Sequence, residues 1–259
     1  MKTAILAGGL GSRLAEETVV KPKPMVEIGG RPILWHIMRH YLTHGHDDFV
    51  IAAGYKAEVI KRWMVDYATL TADVTVQPHR GQVDYHGSDA CEPWTVTVVD
   101  TGQDTNTGGR IKRMAPWVGD DQTFMVTWGD GVSDVDLDAL LAFHREHGRI
   151  ATLTAVRPPA RYGHIVTEGD RITEFSEKPQ IGEGWINGAF FVFEREVFDY
   201  IDGDDTQFEK EPLERLAKDG ELMAYRHHGF WQCMDTVRER HILEELWKGG
   251  NAPWKTWEN

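Results

Sequence analysis

AILAGGLGSRLAEETVVKPKPM, residues Ala4 to Met25, begins as an apolar run and breaks at Gly8-Gly9. A short apolar stretch closed by glycines suits a strand buried in a parallel sheet. Outward from it, strand-like and helix-like segments alternate. RPILWHIMRHYLTHG (31–45) has Pro32 in its first turn, apolar residues at helical spacing and Gly45 as a stop. DFVIAAG (48–54) reads as the next strand and KAEVIKRWMVDYA (56–68) as an amphipathic helix. DDQTFMVTWGDG (120–131) holds a strand from Phe124 to Thr127 that ends in a tight acidic turn. DLDALLAFHREHG (136–148) reads as a helix capped by Gly148, and ATLTAV (151–156) as a further strand. This β-α-β-α order predicts an α/β fold in three α/β/α layers around a mostly parallel, mixed sheet. Ligands of such sheets sit beyond the carboxyl ends of the strands, where the glycine loop and the acidic turn both fall.

The middle of the chain is less regular. DVTVQPHRGQVDYHGSDACEPWTVTVVDTG (73–102) reads as a polar, hairpin-like excursion between two strands. GHIVTEGDRITEFSEKP (163–179) reads as short antiparallel strands around Gly169-Asp170, and NGAFFVFE (187–194) as a phenylalanine-rich strand. QFEKEPLERLAKDGE (207–221) and TVRERHILEELWKGG (236–250) read as helices. With no internal repeat, low-complexity tract or polar linker in the sequence, residues 1–259 are expected to form one domain carrying an insertion near 73–95.

A 41% hydrophobic chain of 259 residues can bury a full core without staples. Cys91 and Cys233 cannot make a disulfide framework, so a reduced, cytoplasmic setting is expected. The amino-terminal apolar run is too short for a signal peptide, and no stretch approaches the ~20 apolar residues of a membrane helix. The net charge of −13 argues against nucleic acid and anionic membranes as partners. Phosphate can be bound by such a chain only where cations are gathered locally.

Three readings of the glycine loop compete. A P-loop needs G-x-x-x-x-G-K-[ST], which the sequence lacks. A dinucleotide loop needs G-x-G-x-x-G; Gly9 and Gly11 supply two positions, but Leu14 stands at the third. The remaining reading is a loop whose backbone N–H groups line a nucleotide, with Arg13 reaching its terminal phosphates. A plain strand-to-helix turn explains the glycines. It does not explain Lys21 and Lys23, held between prolines 22 and 24. Phosphate binding is the stronger reading.

Asp130 stands in WGDG with a glycine on either side, and Asp235 in FWQCMDT directly before a helix. Two carboxylates, with nucleotide oxygens and waters, suit Mg²⁺, which prefers hard oxygen ligands and few protein ones. The bland alternatives are a turn residue for Asp130 and a helix N-cap for Asp235, and the residue types alone leave the two readings of Asp235 about equal.

Together with VTWGDG, FSEKP, INGAFFVF and FWQCMDT, the opening stretch resembles the sugar-1-phosphate nucleotidyltransferases, whose loop reads L-x-G-G-x-G-[TS]-R-L followed by K-P-K. These motifs span nearly the whole chain. KPKPMVEIGGRPILWHIM, VDTGQDTNTGGRIKR and APWKTWE most resemble the members that make CDP-glucose. The resemblance implies a Rossmann-like fold and Mg²⁺-dependent, in-line attack of α-D-glucose 1-phosphate on the α-phosphorus of CTP, releasing pyrophosphate. It implies Leu6, Ala7, Gly8, Gly9, Gly11 and Ser12 around the nucleotide, with Arg13 and Lys23 as catalytic cations. Thr101, Arg110 and Gly129 fall on the nucleotide side, and Glu177, Lys178 and Asn187 around the sugar. Asp130 and Asp235 become metal ligands. A homo-oligomer, a hexamer by resemblance, and a role in dideoxysugar synthesis for a bacterial surface polysaccharide also follow. The alternatives are the same chemistry with dTTP, UTP or another sugar 1-phosphate, and a non-catalytic subunit that senses nucleotide sugars.

Other features carry less. His36, His40 and His44 share one helix face, where a packed or solvated face outweighs a metal site. His227-His228 reads as a strand end. Trp128 abuts the acidic turn and could line the site, though packing is the safer reading. Cys233 stands where relatives are expected to carry proline, close to Asp235, and Ser12 keeps the hydroxyl of the commoner threonine. Trp247, Trp254 and Trp257 in the tail suit either a subunit contact or packing onto their own domain.

Overall fold

A computed structural model describes the chain except residues 10, 12–13, 88–90, 159–163, 169–170, 177–183 and 259. Seven strands form the central sheet: β1 (Thr3–Ala7), β2 (Asp48–Ala53), β3 (Thr95–Asp100), β4 (Thr123–Trp128), β5 (Ala151–Val156), β6 (Ile186–Glu194) and β7 (Leu222–Arg226). Their spatial order is β7-β5-β6-β4-β1-β2-β3. All neighbours run parallel except β6, which is antiparallel to both β5 and β4. Helices α1 (Ile33–Thr43), α2 (Ala57–Val65), α3 (Thr107–Arg113), α4 (Leu137–His147), α5 (Glu211–Lys218) and α6 (Val237–Lys248) cover the sheet. The expected three-layer α/β/α arrangement with a mixed sheet is what the chain adopts.

The pleat divides the core. Side chains along a strand alternate between faces, so Ile5 and Ala7 enter one cluster with Ile33, Ile37, Ala57, Ile60 and Leu140. Ala4 and Leu6 enter the other with Ile111, Met114, Phe208 and Leu216. All five residues of β1 are buried, which is why a largely apolar run makes an interior strand. Gly148 (φ 61°) ends α4 as read from the sequence, whereas Pro32, expected in the first turn of α1, is its N-cap.

Two expectations need correction. The excursion over 73–102 is a hairpin of Asp73–Gln77 and Gln82–His86 followed by β3, a parallel member of the main sheet at its edge. An edge strand is half exposed, so β3 alternates less clearly than a buried strand and blends into the polar hairpin. The helix over 56–68 leaves helical dihedrals at Asp66 (φ −85°, ψ 0°) and resumes over Tyr67–Thr71. His164–Glu168 and Arg171–Ser176 pair antiparallel as expected. Among the described residues, no helix is long and apolar enough to cross a membrane.

The tryptophan tail folds back onto its own domain. Trp254 is fully buried and stacks on Phe230 and Trp247. Its indole N–H donates to His36 Nδ1 (3.3 Å), while His36 Nε2–H donates to the Ile28 carbonyl (2.8 Å). His36 is thereby a neutral packed ring, with its pKa lowered to about 4 by burial. Burial, then the charge of His44, also lowers His40 to about 4. In the unfolded chain both return to 6.5. As pH falls, the unfolded chain therefore takes up protons that the folded chain refuses. Stability is complete above pH 6.5 and declines toward pH 4, by up to about 1.4 kcal/mol per pH unit for each ring. Thermal melts are expected to show a falling midpoint between about pH 7 and pH 5; a flat profile would mean that neither ring is sealed from protons.

Candidate active site

The register of the sheet brings three glycines to one edge. Leu6 lies opposite Ala52 on one side and Trp128 on the other, so Gly8, Gly54 and Gly129 follow at the carboxyl ends of β1, β2 and β4. There Gly8 and Gly129 border a cleft of about 520 Å³, and Gly54 lies against the Arg110 guanidinium. Leu6, Ala7, Gly8, Gly9, Gly11, Lys23, Arg110, Gly129, Asp130 and Asp235 all line it. Ser12, Arg13, Glu177 and Lys178 lie outside the described residues.

Lys23 opens a short 3₁₀ turn, Lys23–Met25, after the extended Pro22. Its ammonium donates to Asp130 Oδ2 at 2.6 Å and to Asp235 Oδ1 at 2.5 Å. Burial alone disfavours that charge, but the attraction and hydrogen bonds of the two carboxylates outweigh it, leaving Lys23 above the ordinary lysine pKa. The two aspartates meet through a small antiparallel pair, Gly131–Ser133 with Trp231–Cys233, in which Gly131 lies opposite Cys233. Met234 N–H donates to the Asp130 carbonyl (2.8 Å). Asp130 enters this pair and Asp235 leaves it, which sets them side by side.

Asp235 is not the cap of α6. Thr236 is: its Oγ1 accepts from Glu239 N–H, and the Glu239 carboxylate accepts from Thr236 N–H, completing a capping box. The Glu239 carboxylate also accepts from Asp235 N–H (2.7 Å), so the box holds the aspartate backbone. Thr236→Ala is expected to cost about 1 kcal/mol of stability, measurable by denaturant unfolding. The Cys233 thiol lies 3.9 Å from Asp235 Oδ2. Burial, then the charges of Glu239, Asp235 and Asp130, pushes it up to about 12. At neutral pH it is a neutral thiol and adds no charge to the pair.

Arg110 lies beneath the glycine loop and is only 4% exposed. Its Nη1 donates to Thr101 Oγ1 (2.7 Å) and the Gly102 carbonyl (2.8 Å), and its Nη2 to the carbonyls of Gly8 (3.0 Å) and Gln103 (3.1 Å). Burial and the charge of Arg113 pull its pKa below the ordinary arginine value. One guanidinium thus ties the loop after β1 to the loop after β3. A Cβ at Gly8 would lie 2.1 Å from Nη1, so the loop needs glycine there for the guanidinium to fit.

Thr101 and Asn187 are placed differently from the expectation. Thr101 is fully buried and does not line the cleft: its hydroxyl donates to the Ala53 carbonyl (2.7 Å) and accepts from Arg110. Asn187 also lies away from the cleft lining, and its Oδ1 accepts from Ala189 N–H (2.7 Å), steadying a residue at φ 61°. The three histidines of α1 do not converge: His36 and His40 are buried, and His44 pairs with Asp138 (2.8 Å). Trp128 does line the cleft, packed on Phe191 and donating to Glu209 (3.1 Å).

Residues 103–107 also line the cleft and were missed. Residues 103–106 form the loop after β3, ending at the N-cap Asn106 of α3, and Thr107 opens that helix. The available signal was positional. Had 95–100 been read as a sheet strand, the polar glycine- and threonine-rich stretch behind it would have fallen on the same edge as Gly8.

Sequence comparison agrees with this arrangement. The pattern of the nucleotidyl transferase family matches residues 2–239. A Salmonella typhi protein named glucose-1-phosphate cytidylyltransferase is 54% identical over 258 residues, all of both chains. Its Salmonella typhimurium counterpart matches equally. The crystal structure of HddC from Yersinia pseudotuberculosis superposes with a TM-score of 0.69 at 22% identity, covering 95% of this chain and 99% of that one, a likeness of fold. With full-length identity at that level and a family pattern running through every element that builds the cleft, the chain belongs to the nucleotidyl transferase family.

Proposed function

We propose that the chain transfers the cytidylyl group of CTP to α-D-glucose 1-phosphate, giving CDP-glucose and pyrophosphate. The observation that carries the reading is the meeting of Lys23, Asp130 and Asp235 at one end of a glycine-floored cleft. Full-length identity with proteins named for this reaction supports the choice of base and sugar.

The attacking phosphate oxygen of the sugar phosphate is already anionic at neutral pH, so the site needs no general base. It attacks the α-phosphorus as the bond to the β-phosphate oxygen breaks and pyrophosphate leaves. The work is alignment and neutralisation of charge. Backbone N–H groups of the glycine loop line the nucleotide, Lys23 neutralises the α-phosphate, and Arg13 holds the β- and γ-phosphates. Glu177 and Lys178 receive the sugar phosphate. Arg110 and Thr101 act from below, by holding the loops.

The Asp130–Asp235 pair fits a divalent cation, because two hard carboxylates already converge on one positive group, the Lys23 ammonium. We assign Mg²⁺ to this pair: Asp130 and Asp235 would hold it, and it would supply neutralisation of the negative charge that builds during transfer. We further propose that residues 1–259 work as one domain, with the hairpin near 73–95 inserted. Assembly as a hexamer in the cytoplasm and a part in surface-polysaccharide synthesis complete the proposal.

A pyrophosphate-release assay with CTP, dTTP, UTP and GTP, each against several sugar 1-phosphates, tests the reading. Turnover is expected with CTP and glucose 1-phosphate. Preference for another base or sugar replaces the substrate assignment, and no turnover with any pair points to a sensing subunit.

A further inference from the structure

We propose that Lys23 is a stand-in cation: in the nucleotide-free chain its ammonium fills the space between Asp130 and Asp235 and keeps a divalent ion out until nucleotide phosphates draw it away. This rests on the assignment of the two aspartates as ion ligands.

The geometry carries the inference. One ammonium is 2.6 Å from a carboxylate oxygen of Asp130 and 2.5 Å from one of Asp235. A magnesium ion held by both would lie about 2.0–2.1 Å from each oxygen, inside the volume that the ammonium occupies. The two cations exclude one another by size. They also repel, at a site only partly open to solvent: the side chains of Lys23, Asp235 and Asp130 are 11%, 17% and 30% exposed.

The backbone of Lys23 is fixed and its side chain is not. Pro22 and Pro24 flank it, and Val26 N–H closes the turn on its carbonyl (3.0 Å). The four-carbon stem is the movable part, and rotating it re-aims the ammonium without moving the chain. The start of that stem runs against the glycine loop: a Cβ at Gly11 would lie 3.2 Å from Lys23 Cβ. Phosphate oxygens bound along the loop therefore compete directly for the ammonium. Once it turns to them, the space between the two carboxylates opens to the divalent ion. Nucleotide and ion then favour each other's binding, and the coupling runs equally in both directions.

Binding of Mn²⁺ alone to the full chain without nucleotide, followed by electron paramagnetic resonance or calorimetry, tests this. Lys23→Met and Lys23→Gln each remove the ammonium, and each is expected to bind Mn²⁺ at least about tenfold more tightly than the unsubstituted chain. Lys23→Arg keeps the charge and is expected to stay weak. Adding Asp130→Asn to Lys23→Met is expected to abolish the gain, which places the ion on this pair. Either folded variant suffices, with folding judged by circular dichroism. Affinity equal to or weaker than that of the unsubstituted chain in the folded variants overturns the proposal. Turnover of CTP and glucose 1-phosphate by the unsubstituted chain, measured alongside, reports separately on the functional reading. Turnover with unchanged variant affinities removes only the stand-in role, whereas no turnover with any triphosphate and sugar phosphate removes the functional reading beneath it.

Discussion

Asp235→Asn is expected to slow cytidylyl transfer by about 10²–10³-fold, the usual cost of losing one preorganised charge from a site of this kind. Asparagine keeps the size and shape of aspartate, so the change is one of charge. It spares the start of α6, because Thr236 and Glu239 cap that helix. The melting midpoint is accordingly expected to stay close to the parental value. The loss should appear in kcat, since the charge matters most when negative charge builds on the α-phosphate and the leaving pyrophosphate. Asp130→Asn is expected to behave in the same way, and the double variant to be little worse than either. Groups that act as a unit are not additive. Pyrophosphate release at saturating CTP and glucose 1-phosphate checks all three. Parental kcat in Asp235→Asn would reduce the triad with Lys23 to a structural ion-pair network.

Arg110→Met is expected to cost about 3 kcal/mol or more of stability, from two buried acceptors losing their donor at roughly 1–3 kcal/mol each, with a smaller loss at two partly buried ones. The acceptors are Thr101 Oγ1 and the carbonyls of Gly8, Gly102 and Gln103. Methionine fills much of the space but donates nothing. Arg110→Lys keeps the charge without the fork that reaches two loops at once, so it is expected to recover part of the stability and not all of it. Because the Gly8 loop is no longer tied to residues 101–103, KM for CTP is expected to rise as well. Denaturant unfolding and steady-state kinetics on both variants separate the two roles. A raised KM with unchanged stability would make Arg110 a plain contact for the nucleotide. Loss of stability in step with KM makes it a positioning residue.

How much could be read beforehand differed by element, for physical reasons. β1, β2 and β4 are buried on both faces, so their apolar runs stand out in the sequence and were placed correctly. β3 pairs on one side only. Its half-exposed residues resemble those of the hairpin before it, and the edge of the cleft that it supports was hidden with it. The Trp247–Trp257 tail was ambiguous because an exposed-aromatic pattern suits a subunit contact as well as a core. Only its packing around His36 shows which one applies.

The sequence by itself determined the layered fold, the loop at the end of β1 and the residue types needed to hold a phosphate, because burial and backbone freedom act over a few neighbouring residues. It also placed Asp130 at the end of a strand and Asp235 directly before a helix. Tertiary structure alone decided that one ammonium lies between those two carboxylates, that Thr236 rather than Asp235 caps its helix, and that Arg110 works beneath the loop. Each of these is a contact between segments far apart along the chain. Such contacts depend on sheet register and on the competition among nearby groups for each donor, and no local pattern of residues encodes either.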